Sequence, residues 1–323
     1  MIFGIYHFMV IGHQKQLDIL NTARQSGRIS HAYILSGPSR VGKKTVALEW
    51  LSQILGAQLD SAAVHPDFIF VEPLTDPKTG KRAGEITVAQ VRSLIWKLSL
   101  TPAIAPVIAA LIDDAHLMNT EAQNALLKTL EEPPGNAIIV LVAQNSNRLL
   151  ETIRSRCQTL QFNFVSLKDM QKFAGLKGSG NSAEIVRLSF GRPGRMVEFA
   201  ADPDRLKAWQ DKAAEFSRAV SAGLPDRFAY AAKAAEDQDL DELLEVWQSH
   251  FRDKMLDALN GKGQSAPQAA AKDQFVFSKL KNAPAASPQK IASVLKKIHE
   301  LGVVLQTTNA SPRLAIENFM LEI

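Results

Sequence analysis

The sequence predicts a parallel α/β sheet in its first half and an all-helical second half, and three observations carry that expectation. Short apolar runs alternate with helix-like stretches as far as about Phe164, a glycine loop joins the first run to the helix-like TVALEWLSQIL, and beyond Phe164 only helical patterns continue. At 323 residues with 46% hydrophobic content, the chain exceeds the roughly 100–200 residues typical of one domain and has material for a large core.

Residues 13–27 place Leu17, Ile19, Leu20 and Ala23 at near-helical spacing and stop at Gly27, a helix end. AYILSG comes next, a short apolar run closed by glycine that reads as a buried strand. Runs of the same kind recur at Phe68–Val71, Val107–Ile112, Ile138–Val142 and Thr159–Phe162, with helical patterns at Val88–Leu98 and Thr120–Leu130. Strands alternating with helices predict parallel pairing. After Phe164, Leu167–Leu176, Ala183–Phe190 and Pro203–Ala222 read as helices, and Gly261–Gln274, rich in Gly, Ala, Ser and Gln, reads as a loop between helices.

A net charge of +4 from 37 basic and 33 acidic residues is too mild for a stand-alone nucleic-acid binder, and no helix-turn-helix pattern or aromatic-plus-basic cluster is visible. Cys157 is the single cysteine, which excludes an internal disulfide, and the seven histidines show no HxxxH spacing for a metal. The opening MIFGIYHFMVIG is apolar but short, without a basic leader segment or a small-residue cleavage site, so a secretory signal is not expected; Met9 offers a second start. No apolar run approaches the roughly 18–20 residues of a membrane span. A cytoplasmic protein with no membrane partner is the expectation.

Gly37-Pro38-Ser39-Arg40-Val41-Gly42-Lys43 lies between a predicted strand and a predicted helix, the setting a GxxxxGK phosphate loop requires. Its glycines let backbone N–H groups face phosphate oxygens, and Lys43 supplies charge for the β and γ groups. The next position should hold a Ser or Thr hydroxyl for Mg²⁺; here it is Lys44, with Thr45 displaced by one residue and pointing about 100° away around the helix. A glycine turn without any ligand is the alternative. Val107–Ile112 ends in Asp113-Asp114, two carboxylates at the C-terminal tip of a buried strand, where α/β sheets bind ligands. Asp113 is placed to hold Mg²⁺ through water; alternatively both residues end the strand and cap the helix after it.

The segment NTEAQNALLKTLEEPP (119–134), with Ser155-Arg156-Cys157 about twenty residues later, resembles the signature of clamp-loader AAA+ subunits of the bacterial replicase. Val10-Ile11-Gly12, His31-Ala32, His65-Pro66-Asp67 and NASPRLAIE (309–317) continue the likeness over nearly the whole chain. The resemblance implies a RecA-like AAA+ domain at 1–164, a helical lid at 165–203 and a helical collar at 204–323. It also implies that Arg156 is a finger presented in trans to the γ-phosphate of ATP in a neighbouring motor subunit. A guanidinium suits that role because it stays charged at all relevant pH values. Without the motif, Arg154 and Arg156 would read as solvated helix-end residues or members of local ion pairs. Cys157 reads as a packing thiol.

The departures from the family pattern matter as much. Gly37, Gly42, Lys43, Lys44, Thr45, Asp113 and Asp114 would form a degenerate ATP and Mg²⁺ site: Asp114 stands where the family usually has the catalytic Glu, and Lys44 where it has the metal-ligating hydroxyl. Gly191-Arg192-Pro193-Gly194-Arg195 has Gly194 at the place of the motor's sensor-2 arginine, as in the non-motor kind of subunit. Gln144–Asn147 stand where sensor 1 is expected, without a clearly retained hydroxyl. Only GAQLDSAAV fills the place of a four-cysteine zinc module, so zinc is not expected. The implied partners are motor (gamma/tau) and delta subunits in a hetero-pentamer, with the sliding clamp and primed DNA reached through the assembly. On the helix at Thr120–Leu130, Ala122, Leu126, Leu127 and Leu130 fall at core spacing, leaving Gln123, Asn124 and Lys128 on a face for a neighbour. Three other readings compete: an active motor ATPase, favoured by Lys43 and Asp113; a small-molecule P-loop kinase; and a DNA-binding module.

Overall fold

The computed structural model describes residues 10–59, 65–76, 83–175, 182–237, 239–260, 287–308 and 310–323. The chain divides into two compact units, Met1–Ala201 and Asp202–Ile323. The expected loop at Gly261–Gln274, most of the opening segment and part of GAQLDSAAV lie outside the described residues.

In the first unit β1 (Ala32–Ser36), β2 (Phe68–Val71), β3 (Ile108–Ile112), β4 (Ala137–Ala143) and β5 (Gln158–Gln161) form one sheet in the order β2-β3-β4-β1-β5. Every neighbouring pair is parallel. Strands β1, β3 and β4 are buried along their whole length, which is why they read as continuous apolar runs with no alternation. Edge strand β5 is different: Leu160 is buried while Gln158, Thr159 and Gln161 are exposed, a polar edge that discourages further pairing.

Helices α1 (Gln14–Gln25) and α2 (Lys43–Leu55) cover one face of the sheet, where Leu20, Val46, Trp50 and Leu51 pack with Tyr33, Leu35, Leu111 and Val140. Trp50 is essentially buried, and its indole N–H donates to Leu20 O at 3.0 Å, joining the two helices. On the other face, α3 (Val88–Leu98), α4 (Thr120–Glu131) and the single turn α5 (Glu151–Arg154) pack Val91, Leu94, Leu126, Leu130 and Ile153 against Ile34, Ile112, Ile139 and Leu141. Thr87 and Gln90 close a capping box that starts α3, and Asn119 caps α4 by accepting the Ala122 N–H at 2.9 Å. The result is a five-stranded parallel sheet with helices on both faces, the α/β layering that the alternation of apolar runs and helices predicts.

Three short helices come next, α6 (Leu167–Gly175), α7 (Ser182–Leu188) and α8 (Pro193–Ala201). They are tied to the sheet domain through Val165, whose N–H donates to Gly191 O at 2.8 Å. Gly191 has φ 71°, and a Cβ there would stand 2.7 Å from Val165 O, so the turn requires glycine.

The second unit is helical throughout its described residues: α9 (Pro203–Ser221), α10 (Leu224–Ala234), α11 (Leu240–Asn260), α12 (Pro288–Thr307) and α13 (Pro312–Leu321). Its centre is Trp247, stacked between Phe216 at 4.9 Å and Phe319 at 5.2 Å, with its indole N–H donating to the Tyr230 hydroxyl at 2.9 Å. Arg227 donates to Val220 O, Ala222 O and Met320 O, bonding the end of α9 to α13. Among the described residues no helix is long and apolar enough to cross a membrane.

Candidate functional site

The loop from β1 to α2 leaves the sheet at its C-terminal edge, where the Gly37 N–H donates to Ala143 O at the end of β4, 3.2 Å away. Gly37 (φ 153°) and Gly42 (φ 102°) both lie in the left-handed region, and a Cβ on Gly37 would collide with Phe162 O. Arg40, at the crest of the loop, is also left-handed, with φ 59°. Lys43 opens α2 and is only 5% exposed. Its ammonium folds back onto the loop, donating to Gly37 O at 2.6 Å and Pro38 O at 2.5 Å. Burial pulls its pKa down to about 8, with Asp114 and Asp113 opposing that shift and Arg192 adding to it.

Lys44 turns the other way. Its ammonium lies 3.1 Å from Asp113 Oδ2 and 3.5 Å from Glu72 Oε2, and 4.4 Å from the centroid of the Phe70 ring. Burial pushes the Asp113 carboxyl up, while the Lys44 ammonium draws it down. Asp113 also accepts the Asp114 N–H at 3.1 Å, and Asp114 adopts φ 50° at the head of a 3-10 turn, Ala115–Leu117, without capping it through its side chain. Thr45, one residue further along α2, is half-buried.

These donors do not fit a magnesium ion. A metal site of this kind offers a hydroxyl beside the carboxylate, and here the residue in the hydroxyl's place is a cation, 3.1 Å from Asp113 Oδ2.

The loop is also covered. The Gly194 N–H, near the start of α8, donates to Arg40 O at 2.9 Å, and Arg40 pairs with Glu198 on the same helix at 3.2 Å. A Cβ on Gly194 would stand 3.0 Å from Arg40 O, so a longer side chain there must displace the loop. Arg192 lies over the Phe164 ring at 5.1 Å. In the stretch after β4, the Asn145 carboxamide oxygen accepts the Asn147 N–H at 2.9 Å and the Ser146 N–H donates to Ser36 Oγ at 3.0 Å, so these groups brace one another.

Arg156 belongs to a different part of the domain. It lies just past α5, and its guanidinium meets Glu131 Oε1 at the end of α4 at 2.6 Å while donating to Thr152 O at 2.8 Å. Both partners are accessible, with side-chain exposures of 34% for Arg156 and 49% for Glu131. Neighbouring Arg154 donates to Asn147 Oδ1 at 3.1 Å. Burial pushes the Cys157 thiol up to about 12, so it carries no thiolate chemistry near neutral pH.

The structure thus gathers Gly37, Gly42, Lys43, Lys44, Asp113 and Asp114 at the C-terminal ends of β1 and β3 and holds Arg156 at the α4–α5 edge. One expectation fails. Gln123 is not on an exposed face; it is 6% exposed, with Nε2 donating to Met118 O at 3.0 Å and Oε1 accepting the Leu150 N–H at 2.8 Å. Helical spacing put it off the apolar stripe, but the chain entering α5 folds over that side of α4 and needs a polar partner there. Sequence reasoning also missed Glu131 and Glu72 as the partners of Arg156 and Lys44. It missed the role of Asp67, whose buried carboxylate accepts the N–H groups of Ala103, Ile104 and Ala105 at 2.6–2.8 Å. The available signal for Asp67 was an acid set directly against the apolar run Phe68–Val71.

Residues 12–166 match the family described as DNA polymerase III, delta subunit. The chain is 37% identical over 142 residues to DNA polymerase III subunit delta' of Pseudomonas aeruginosa, covering 40% of this chain and 42% of that protein. It is 31% identical over 168 residues to subunit delta' of Bacillus subtilis, covering 48% and 49%. With subunit tau of Escherichia coli it shares 32% over 163 residues, 49% of this chain and 25% of that protein. The chain spans about half or less of the length of these curated relatives. Among solved structures, a gamma subunit-related protein of Thermotoga maritima superposes with a TM-score of 0.48 at 18% identity, covering 94% of this chain and 97% of that one. By sequence, the module at residues 12–166 belongs to the DNA polymerase III delta family and is delta-prime-like.

Proposed function

We propose that the chain is a stator-like clamp-loader subunit of the bacterial replicase, which supplies Arg156 in trans to ATP held by a neighbouring motor subunit while the sliding clamp is loaded onto primed DNA. The observation that carries the reading is the contrast in availability. Arg156 stands at an accessible edge on the Glu131 carboxylate, Thr152 O and Ser155 Oγ, whereas Lys43 is buried and bonded to the carbonyls of its own loop. In this reading the lid at 165–203 holds the loop closed through Gly194 and Glu198, and the helices of 204–323 form the collar that joins the gamma/tau and delta subunits in a hetero-pentamer.

Chemically, Arg156 would exchange Glu131 for the oxygens of a transferring phosphoryl group. A guanidinium brought in from outside stabilises the charge that develops there, a contribution of roughly 10³–10⁵ in rate at the site served. Glu131 holds the fork in place until the neighbour arrives, which limits the ordering cost of docking. The other reading, an active motor ATPase, keeps Lys43 and Asp113 but requires Lys44 to leave Asp113 and α8 to lift off Arg40.

The test is reconstitution with motor subunits, delta, clamp and primed DNA. Arg156→Ala should assemble normally by size-exclusion chromatography yet slow DNA-stimulated ATP turnover and clamp loading. Unchanged turnover in a fully assembled complex would contradict the proposal.

A further inference from the structure

We infer that the Lys44 ammonium is a resident cation standing in for the divalent metal of the loop, so that this site takes no magnesium. That role concerns the chain alone and does not depend on the trans role of Arg156.

Three features define the place. Asp113 ends β3, with a side chain only 13% exposed, and its Oδ2 is 3.1 Å from Lys44 Nζ. Glu72, just beyond β2, brings a second carboxylate to within 3.5 Å of the same ammonium. Phe70, on β2, presents its ring 4.4 Å from that charge. The ammonium therefore sits among two carboxylates and an aromatic ring, at the first turn of the helix that follows the phosphate loop.

Charge counting explains what Lys44 does there. Asp113 and Asp114 face Lys43, whose ammonium is already hydrogen-bonded to two loop carbonyls. A half-closed carboxylate such as Asp113 needs a cation beside it, and in a metal-binding loop a divalent ion bridging a hydroxyl and the phosphates supplies that charge. Replacing the hydroxyl by lysine puts a single positive charge beside that carboxylate, tethered to α2. A divalent ion would have to displace it, since two cations cannot share one carboxylate oxygen at about 3 Å without strong repulsion. The consequence reaches beyond the metal: the Lys44 bridge fastens α2 to the ends of β2 and β3.

The test uses the intact chain and magnesium alone, with thermal unfolding as the readout. Wild type should unfold at the same temperature in EDTA and in MgCl₂ once ionic strength is matched with NaCl. Lys44→Ser should unfold several degrees lower in EDTA and recover in MgCl₂ but not in NaCl, and adding Asp113→Asn should abolish that recovery. A wild-type chain that magnesium stabilises, with the effect lost in Asp113→Asn, would overturn the inference. So would a Lys44→Ser chain that unfolds like wild type in EDTA or ignores magnesium. If Lys44→Ser does not fold at all, the wild-type and Asp113→Asn comparison still decides whether the site takes a metal.

Discussion

The phosphate-loop cluster and the Arg156 edge contain the same chemistry, basic side chains paired with carboxylates, yet they differ in what they leave for an outside group. In the loop, Lys43 is 5% exposed and bonded to the backbone it would otherwise turn away from, and α8 bonds to the loop crest. At the edge, Arg156 and Glu131 meet in the open, and an ion pair of that kind is worth only about 0–1 kcal/mol, so a stronger anion can replace Glu131. Possession of a motif and availability of its charges are separate properties, and the two regions divide them between structure and proposed function.

If that division is right, substitutions in the loop should change stability and substitutions at the edge should change turnover. The largest stability loss is expected from Gly37→Ala, where the new Cβ meets Phe162 O in a left-handed backbone; at least about 2 kcal/mol should be lost in urea unfolding. Gly194→Arg, which would rebuild the residue found in motors, should cost about 1–3 kcal/mol by pushing on Arg40 and should not raise ATP turnover of the isolated chain. A gain of turnover would show that only the lid residue separates this chain from a motor.

A subtler probe of the loop is pH. Burial holds Lys43 at about 8 in the folded chain against an ordinary 10.5. Between those values the unfolded chain keeps a proton that the folded chain has released, so Lys43 makes stability rise with pH there, by at most about 1.4 kcal/mol per unit. Lys43→Met should remove that slope, measured as the difference from wild type in unfolding free energy between pH 8 and pH 10. The smallest stability effect belongs to the edge: Glu131→Gln should shift the unfolding free energy by less than about 1 kcal/mol while altering turnover of the reconstituted loader several-fold.

Much of the fold was legible because its strands are buried on both faces. Phe68–Val71 and the helix Val88–Leu98 begin and end where the pattern says, β1 and β3 differ from their apolar runs by one residue at one end, and β4 by one residue at each end. The loop glycines were legible because a strand-to-helix turn of that length needs positive φ, and Lys44 was legible as a misplaced residue. What it does instead was not legible. Glu72 and Asp113 approach it only because β2 and β3 are neighbours in the sheet, and no local spacing encodes that adjacency. The same holds for Arg156 and Glu131, twenty-five residues apart, and for Gln123, whose partners come from the chain entering α5.

Whether the working charge of this chain is Arg156 or Lys43 is decided by DNA-stimulated ATP turnover of the loader reconstituted with wild type, Arg156→Ala or Lys43→Ala in this chain. Arg156→Ala should slow turnover while Lys43→Ala leaves it unchanged in assembled complexes. Loss of turnover with Lys43→Ala alone would contradict the proposal and make this chain a motor.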